Sequence, residues 1–174
     1  MNQRRLFVVV TAAALIVGFA APASADPTGL SVTVQTGVLQ ITVPSTTANL
    51  GTKVNTVPGS VISGLLGQVQ VNDARSAAAG SGWVMSAIST ALTPVSGPTI
   101  PASAIGYVAG TITQSGTATY VANDPTALTG ASAVLTATGI TGDNSASWNP
   151  TVNVMVAGGT LAGVYTGTIT HSVA

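Results

Sequence analysis

The sequence predicts an all-β fold, a single antiparallel β-sandwich of the immunoglobulin-like type, and three observations indicate it. Thr, Val, Gly, Ala and Ser dominate the chain, whereas Glu, Lys and Arg are nearly missing. Thr and Val are stiff at χ1 and favour a pleated surface. Short runs of alternating apolar and polar residues recur, with glycine and proline punctuating the intervals. About seven to nine short strands at this spacing are typical of a β-sandwich.

The first 25 residues predict a cleaved secretory signal peptide. A positive pair, Arg4 and Arg5, precedes a long apolar run, and the small residues PASA end at Ala25. Cleavage is predicted before Asp26, which leaves residues 26–174 as one domain. The alternatives are an uncleaved anchor, for which the run is short against the roughly 20 residues of a spanning helix, and twin-arginine export.

The first two strands are predicted at residues 30–35 and 38–43. In LSVTVQ, Leu30, Val32 and Val34 share one face and polar residues share the other. VLQITV repeats this alternation after a Thr-Gly interruption. The two runs therefore predict a β-hairpin.

The remaining strands are predicted in LLGQVQVND, WVMSAIS, SAVLTAT, SWNPTVNVMV and GVYTGTITHSV. In the last of these, Tyr165, Ile169, His171 and Val173 share the more apolar face, and three threonines and a serine share the other. One helical turn is predicted at residues 124–128, where a proline stands early in the turn.

Scarce charge limits the partners. The chain has four Lys or Arg residues and four acidic residues, and its net charge is zero. No basic patch is present to neutralise phosphates, so the sequence predicts no nucleic-acid partner. No membrane span is predicted after residue 25. The chain contains no cysteine, so disulfides cannot staple the fold and the core must supply the stability.

The residues that could carry chemistry are few. His171 is the single histidine and the only candidate base for a serine nucleophile, and no G-x-S-x-G elbow is present. Asp73, Asp124 and Asp143 would have to supply a glycosidase pair, although each fits a turn or an ion pair. A zinc site needs three or four ligands, and calcium near Asp143 or Asp124 lacks the usual loop spacing. The sequence predicts no catalytic residue, no cofactor and no metal; a small secreted hydrolase is the minor alternative.

The stretch VNDARSAAAGSGWVM carries the most informative local pattern. Asp73 and Arg75 can pair at the end of a strand, a glycine-bearing loop is predicted next, and Trp83 opens another strand. Period two places Trp83 and Met85 on one face. A buried tryptophan beside methionine is ordinary core packing, whereas an exposed Trp83 or Trp148 would be a platform for stacking on a sugar.

Three segments resemble the WxL-domain cell-surface proteins of Gram-positive bacteria, from about residue 65 to the end. VNDAR, a glycine loop and GWVM are similar to the family's V-x-D-x-R-G … G-W-x-L segment. SWNPTVNVMV is similar to the strand before the final one, and AGVYTGTITHSV is similar to A-G-x-Y-x-x-x-I-x-W-x-L. Met85 stands where the family has leucine, and His171 to Val173 stand where it has Trp-x-Leu. The Ala/Val/Thr/Gly bias resembles an actinobacterial member.

The resemblance implies a secreted, non-enzymatic protein, held non-covalently on the cell wall through peptidoglycan or another envelope protein. The motif residues, in structural or wall-binding roles, are Asp73, Arg75, Trp83, Met85, Trp148, Tyr165, His171 and Val173. His171 is predicted to fill, as a packed ring, the space of the family's second tryptophan. If wall binding needs both tryptophans, this chain has altered it. The alternative is a self-associating subunit of a surface layer or filament, because uncharged edge strands promote edge-to-edge contact.

Overall fold

The computed structural model describes residues 31–174, so the predicted signal peptide and its cleavage site lie outside the described residues. Residues 35–174 form one unit, and residues 31–34 belong to the unit that precedes it. No helix within the described part of the chain is long and apolar enough to cross a membrane.

Residues 31–174 contain ten β-strands and a single turn of 3-10 helix, so the predicted all-β fold is confirmed. The strands are β1 (Leu39–Thr42), β2 (Gly59–Leu65), β3 (Val69–Ser89), β4 (Thr93–Pro94), β5 (Ile105–Val108), β6 (Thr113–Ala122), β7 (Ser132–Trp148), β8 (Thr151–Ala157), β9 (Tyr165–Thr166) and β10 (Ile169–Val173). The 3-10 helix, Ala102–Ala104, lies between β4 and β5.

Two antiparallel sheets pack against each other as a sandwich. The larger has the order β1-β3-β7-β6, with β10 also paired to β3, and the smaller has the order β2-β8-β5. Strands β4 and β9 form a separate pair. One apolar core joins both sheets, with Val71 and Leu135 from the larger sheet and Tyr107 and Val154 from the smaller.

The long strands of the larger sheet are irregular near the middle of their length. The β3–β7 ladder is regular up to the pair Asp73–Asn144, then shifts register repeatedly until the pair Trp83–Ala137. The β6–β7 ladder shifts register twice in the same region, on either side of Thr117. Because β-bulges bend the strands that carry them, β3, β7 and β6 bend together here.

The bulges coincide with left-handed backbone at Ser76 in β3, Gly116 in β6 and Gly142 in β7. At Gly116 the φ angle is 86°, and a Cβ would stand 2.5 Å from the backbone oxygen of Asp143. Only glycine satisfies both the left-handed conformation and this close approach.

The predicted hairpin of residues 30–35 with 38–43 is wrong. Residues 31–38 form no strand, and β1 pairs with β3 through Leu39 opposite Asp73. The alternation of the first run showed that it could be a strand, but a partner in the sheet is chosen by long-range packing. Val32 and Val34 are left 80% and 78% exposed. Leu30 lies outside the described residues.

Two other local predictions are also wrong. Residues 124–128 form no helical turn: Asp124 has a φ of 43°, and its Oδ1 accepts a hydrogen bond from the backbone N–H of Ala109 at 2.8 Å. The glycine-bearing loop predicted between Arg75 and Trp83 is a bulged part of the continuous strand β3.

The predicted last strand is divided in two. Tyr165 lies in β9, which pairs with β4, whereas His171 and Val173 lie in β10, which pairs with β3. At the break, a Cβ on Gly167 would come 2.6 Å from the side chain of Leu92. The alternation within β10 holds, since its odd-numbered residues are half-buried and its even-numbered residues are exposed.

Replacing Gly116 by alanine is expected to lower the free energy of unfolding by about 2 kcal/mol, because the new Cβ strains a left-handed residue. Urea denaturation followed by tryptophan fluorescence measures the change. Gly130→Ala is the matched control, since Gly130 has no left-handed backbone and no neighbour within 4 Å of a Cβ. Equal stability of the two variants would contradict the assignment of the bend to Gly116.

Candidate functional site

A buried carboxylate occupies the bend of the larger sheet. The side chain of Asp73 is fully buried, and Arg75 binds it through two hydrogen bonds of 2.8 Å, from Nε to Oδ1 and from Nη2 to Oδ2. The Arg75 backbone N–H and the Asn144 amide also donate to this carboxylate, at 3.1 and 3.3 Å. Such bidentate, charge-assisted pairs are among the strongest hydrogen bonds in proteins.

The ion pair sets the protonation states of both partners. Hydrogen bonds from the Arg75 side chain hold the pKa of Asp73 below its usual range, although burial opposes this effect. The same hydrogen bonds raise the pKa of Arg75. Arg75 also donates from Nη2 to the backbone oxygen of Gly82 at 3.2 Å, so it ties the two sides of the bulge together.

Asn144 extends the network to two aromatic rings. Its Oδ1 accepts from Trp83 Nε1 at 3.2 Å and from the Tyr120 hydroxyl at 3.1 Å. The rings of Trp83 and Tyr120 lie 5.7 Å apart between centroids, on either side of the small residue Ala137. Burial, and then the charge of Asp73, raise the pKa of Tyr120. We call Asp73, Arg75, Trp83, Tyr120 and Asn144 the bend network.

The bend network shows how sharply β3, β7 and β6 bend. We call these three paired strands the ribbon. Trp83 pairs with Ala137, which stands seven positions before Asn144 along β7. An extended strand of that length spans roughly 23 Å. The direct hydrogen bond between Trp83 and Asn144 therefore requires the ribbon to fold back on itself.

A second cluster surrounds Tyr107 in the smaller sheet. The Nε1–H of Trp148 donates to the Tyr107 hydroxyl at 3.0 Å, and the His171 ring meets the Tyr107 ring edge-on at 5.8 Å. Burial raises the pKa of Tyr107. His171 is half-buried, its Nε2 has no hydrogen-bond partner among residues 31–174, and burial lowers its pKa to about 4. The ring is therefore neutral at neutral pH and packs as part of the core.

The other motif residues lie elsewhere in the sheets. Met85 is fully buried in β3, and it pairs with the half-buried Val173 in β10. Tyr165 stands apart in β9, where its hydroxyl donates to the backbone oxygen of Leu161 at 2.9 Å. The structure therefore brings Asp73, Arg75 and Trp83 into one network, pairs Met85 with Val173, and links Trp148 to His171 through Tyr107. Tyr165 packs against the core outside these contacts.

Both tryptophans belong to the core. Trp83 is 2% exposed and Trp148 is 3% exposed. The alternative that either ring is a platform for stacking on sugars is therefore wrong.

The remaining described carboxylates hold backbone in place. Asp124 accepts from the Ala109 N–H, and Asp143 accepts from the Ser76 N–H at 2.9 Å and its hydroxyl at 3.2 Å. Within the described part of the chain, no group of three or more His, Cys, Asp or Glu residues could hold a metal ion.

The sequence did not indicate a role for three residues of the two clusters: Tyr107, Tyr120 and Asn144. Asn144 follows a Gly-Asp pair and resembles a turn residue, so its role in the core was hidden. The rarity of aromatic residues could have indicated the two tyrosines, since the whole chain has only two tryptophans and three tyrosines. Aromatic residues this rare are expected to anchor the core.

Comparison with known proteins gives no match: no family model, no curated protein and no solved structure matches the chain. The WxL resemblance therefore rests on the three segments in the sequence.

Replacing Asn144 by alanine is expected to lower the free energy of unfolding by about 2–3 kcal/mol, because buried donors on Trp83 and Tyr120 lose their acceptor. Urea denaturation followed by fluorescence measures the loss. Asn72→Ala is the matched control, since Asn72 is exposed in the same strand as Asp73. A loss no larger than the control's would show that the bend network does not stabilise the fold.

Stability is expected to fall in two steps as the pH decreases. Between pH 6.5 and about 4, the unfolded chain takes up a proton on His171 that the folded chain excludes, so stability falls with pH. Below pH 3.8, Asp73 is protonated in the unfolded chain before the folded one, and the stability from its ion pair is lost. Unfolding free energies measured from pH 8 to pH 3 test both steps.

Two variants separate the steps. His171→Phe is expected to remove the step between pH 6.5 and 4 and to keep the lower one, whereas Asp73→Asn removes only the lower step. Retention of the upper step in His171→Phe would contradict the burial of a neutral imidazole.

Proposed function

We propose that the chain is a secreted, non-enzymatic cell-surface domain that associates non-covalently with the cell wall, through peptidoglycan or an envelope partner, as its resemblance to WxL-domain proteins implies. The observation that carries the proposal is the adjacency of two segments that resemble the family. Met85 of the GWVM segment pairs with Val173 of the closing segment, so the two altered motif positions are neighbours in one sheet.

The use of the ionisable groups supports a non-enzymatic role. Asp73, Asp124 and Asp143 each accept internal hydrogen bonds, and the His171 ring packs against Tyr107. A general base needs a lone pair within reach of a substrate proton. The carboxylates are held by internal hydrogen bonds, and the His171 Nε2 is buried away from solvent.

A neutral groove at the end of the β6–β7 ladder supports contact with glycan. It has a volume of about 330 Å³ and presents amide and hydroxyl groups together with a similar amount of apolar surface. Its lining residues are Gln68, Thr111, Thr113, Ser147, Trp148 and Asn149. Such groups offer hydrogen bonds to sugar hydroxyls without demanding a charged ligand.

Retention on isolated peptidoglycan tests the wall-binding function. The double change Gln68→Ala and Thr113→Ala is expected to weaken binding about thirtyfold, because each of the two lost neutral hydrogen bonds contributes about 1 kcal/mol. Both side chains are exposed, so the fold is kept. The double change Thr170→Ala and Ser172→Ala, on the exposed side of β10, is the control.

Two results would count against this function. No retention of the unchanged protein, together with recovery only from the culture medium after export, would defeat wall association. Equal retention of the groove and control variants would move the contact away from the groove.

A subunit of a surface layer or filament is the second candidate, and the edge strand β6 favours it. β6 has ten residues, none of them charged, and no strand covers its outer side in residues 31–174. Uncharged edges of this kind promote pairing between copies. Light scattering over a range of concentrations is expected to show growing oligomers, and a strict monomer at high concentration would remove this candidate.

A further inference from the structure

The outer edge of β6 offers unpaired backbone groups. The N–H of Asn123 donates to the backbone oxygen of Val134 in β7, which makes these residues a hydrogen-bonded pair. Because such pairs alternate along an antiparallel ladder, Val121 also faces β7, whereas the N–H and C=O groups of Tyr120 and Ala122 face outward. A strand added at this edge could form hydrogen bonds with these backbone groups.

Other edges in the described residues are covered or shorter. Lys53 donates from Nζ to the backbone oxygen of Val61 in β2, and the Tyr107 N–H of β5 donates to the backbone oxygen of Pro125. β1 and β10 have only four and five residues. β6 is therefore the longest open edge within residues 31–174.

The core layer is incomplete beside β6. Ala118 and Tyr120 point towards the core but are only partly buried. An additional strand with apolar residues on its inner face would cover both side chains and extend the sandwich.

A segment of suitable pattern precedes the sandwich. Residues 30–35, LSVTVQ, have the alternation of a half-buried strand and carry no charge. Val32 and Val34 are nevertheless exposed, and residues 31–38 form no strand. We call residues 30–35 the donor segment.

We propose that the donor segment of one copy adds as a strand to the β6 edge of another copy. Its valines would cover Tyr120 and Ala118 on the core side, and its backbone would pair with the outward groups of Tyr120 and Ala122. Main-chain pairing of this kind gives affinity, and the alternate side chains give register. The inference rests on the second proposed function, self-assembly, and names the surfaces that perform it.

The topology favours pairing between copies over pairing within one. β1, which follows the donor segment, lies at the opposite edge of the sheet from β6, with β3 and β7 between them. A head-to-tail contact between two different surfaces is heterologous, and it builds open chains when the rotation does not close.

Cysteine cross-linking tests the contact directly, because the chain has no cysteine of its own. One population carries Thr33→Cys, on the polar face of the donor segment, and the other carries Val121→Cys or Thr119→Cys, on the exposed face of β6. Mild oxidation of the mixture is expected to give a disulfide between the two populations. Thr33→Cys mixed with Ser172→Cys, an exposed position in β10, is the control and is expected to give none.

A charge-insertion variant provides a second readout. The double change Val32→Asp and Val34→Asp is expected to shift the oligomers seen by light scattering to monomer mass, because charges cannot cover the core layer. Val95→Asp, at a fully exposed valine in a loop, is the control and is expected to keep the oligomers. Unchanged tryptophan fluorescence reports that the sandwich is folded.

The outcomes distinguish failure of the donor-segment contact from failure of self-assembly itself. Oligomers that persist in the Val32/Val34 variant, or a cross-link no stronger than the control, would overturn the donor segment while self-assembly stands. A strictly monomeric unchanged chain would overturn both. A chain that carries both Thr33→Cys and Val121→Cys and forms its disulfide only within the monomer would show pairing in cis and would also overturn the proposal.

Discussion

The ion pair between Asp73 and Arg75 is the interaction on which the larger sheet depends. A buried carboxylate is costly unless it is paired and fully hydrogen-bonded, and here the bulge after Asp73 returns the Arg75 guanidinium to both oxygens. Asn144 supplies a further donor and turns its own oxygen towards Trp83 and Tyr120. Because Trp83 and Tyr120 lie on the other side of the bend from Asp73 and Asn144, both aromatic donors reach the Asn144 oxygen only when the three strands are folded back.

The arrangement matters more because the protein has few charged side chains. Residues 31–174 contain five charged side chains: Lys53, Arg75, Asp73, Asp124 and Asp143. All three aspartates hold the backbone or its bulges in place, and Arg75 serves one of them. Since the chain has no cysteine, no disulfide can hold the backbone in place. The charged residues therefore stabilise the fold, and the remaining surface is neutral.

The sequence predicted what depends on local pattern. The sandwich, the inward face of β10 and the pairing of Asp73 with Arg75 all follow from period-two alternation or from neighbouring residues. The predictions of a hairpin at residues 30–43 and of a loop before Trp83 were wrong, because strand partners and bulges are decided by contacts distant in sequence. Asn144 was missed for the same reason: its partners in the bend network become neighbours only after the ribbon bends.

The two proposed surfaces occupy opposite ends of β6 and are compatible. The neutral groove includes Thr113, where β6 begins, whereas the outward groups of Tyr120 and Ala122 lie beyond the bulge at Gly116. Because the bend separates the two ends, a strand added beside Tyr120 leaves Thr113 open to a ligand. The bend therefore keeps the two proposed contacts apart on a single edge strand.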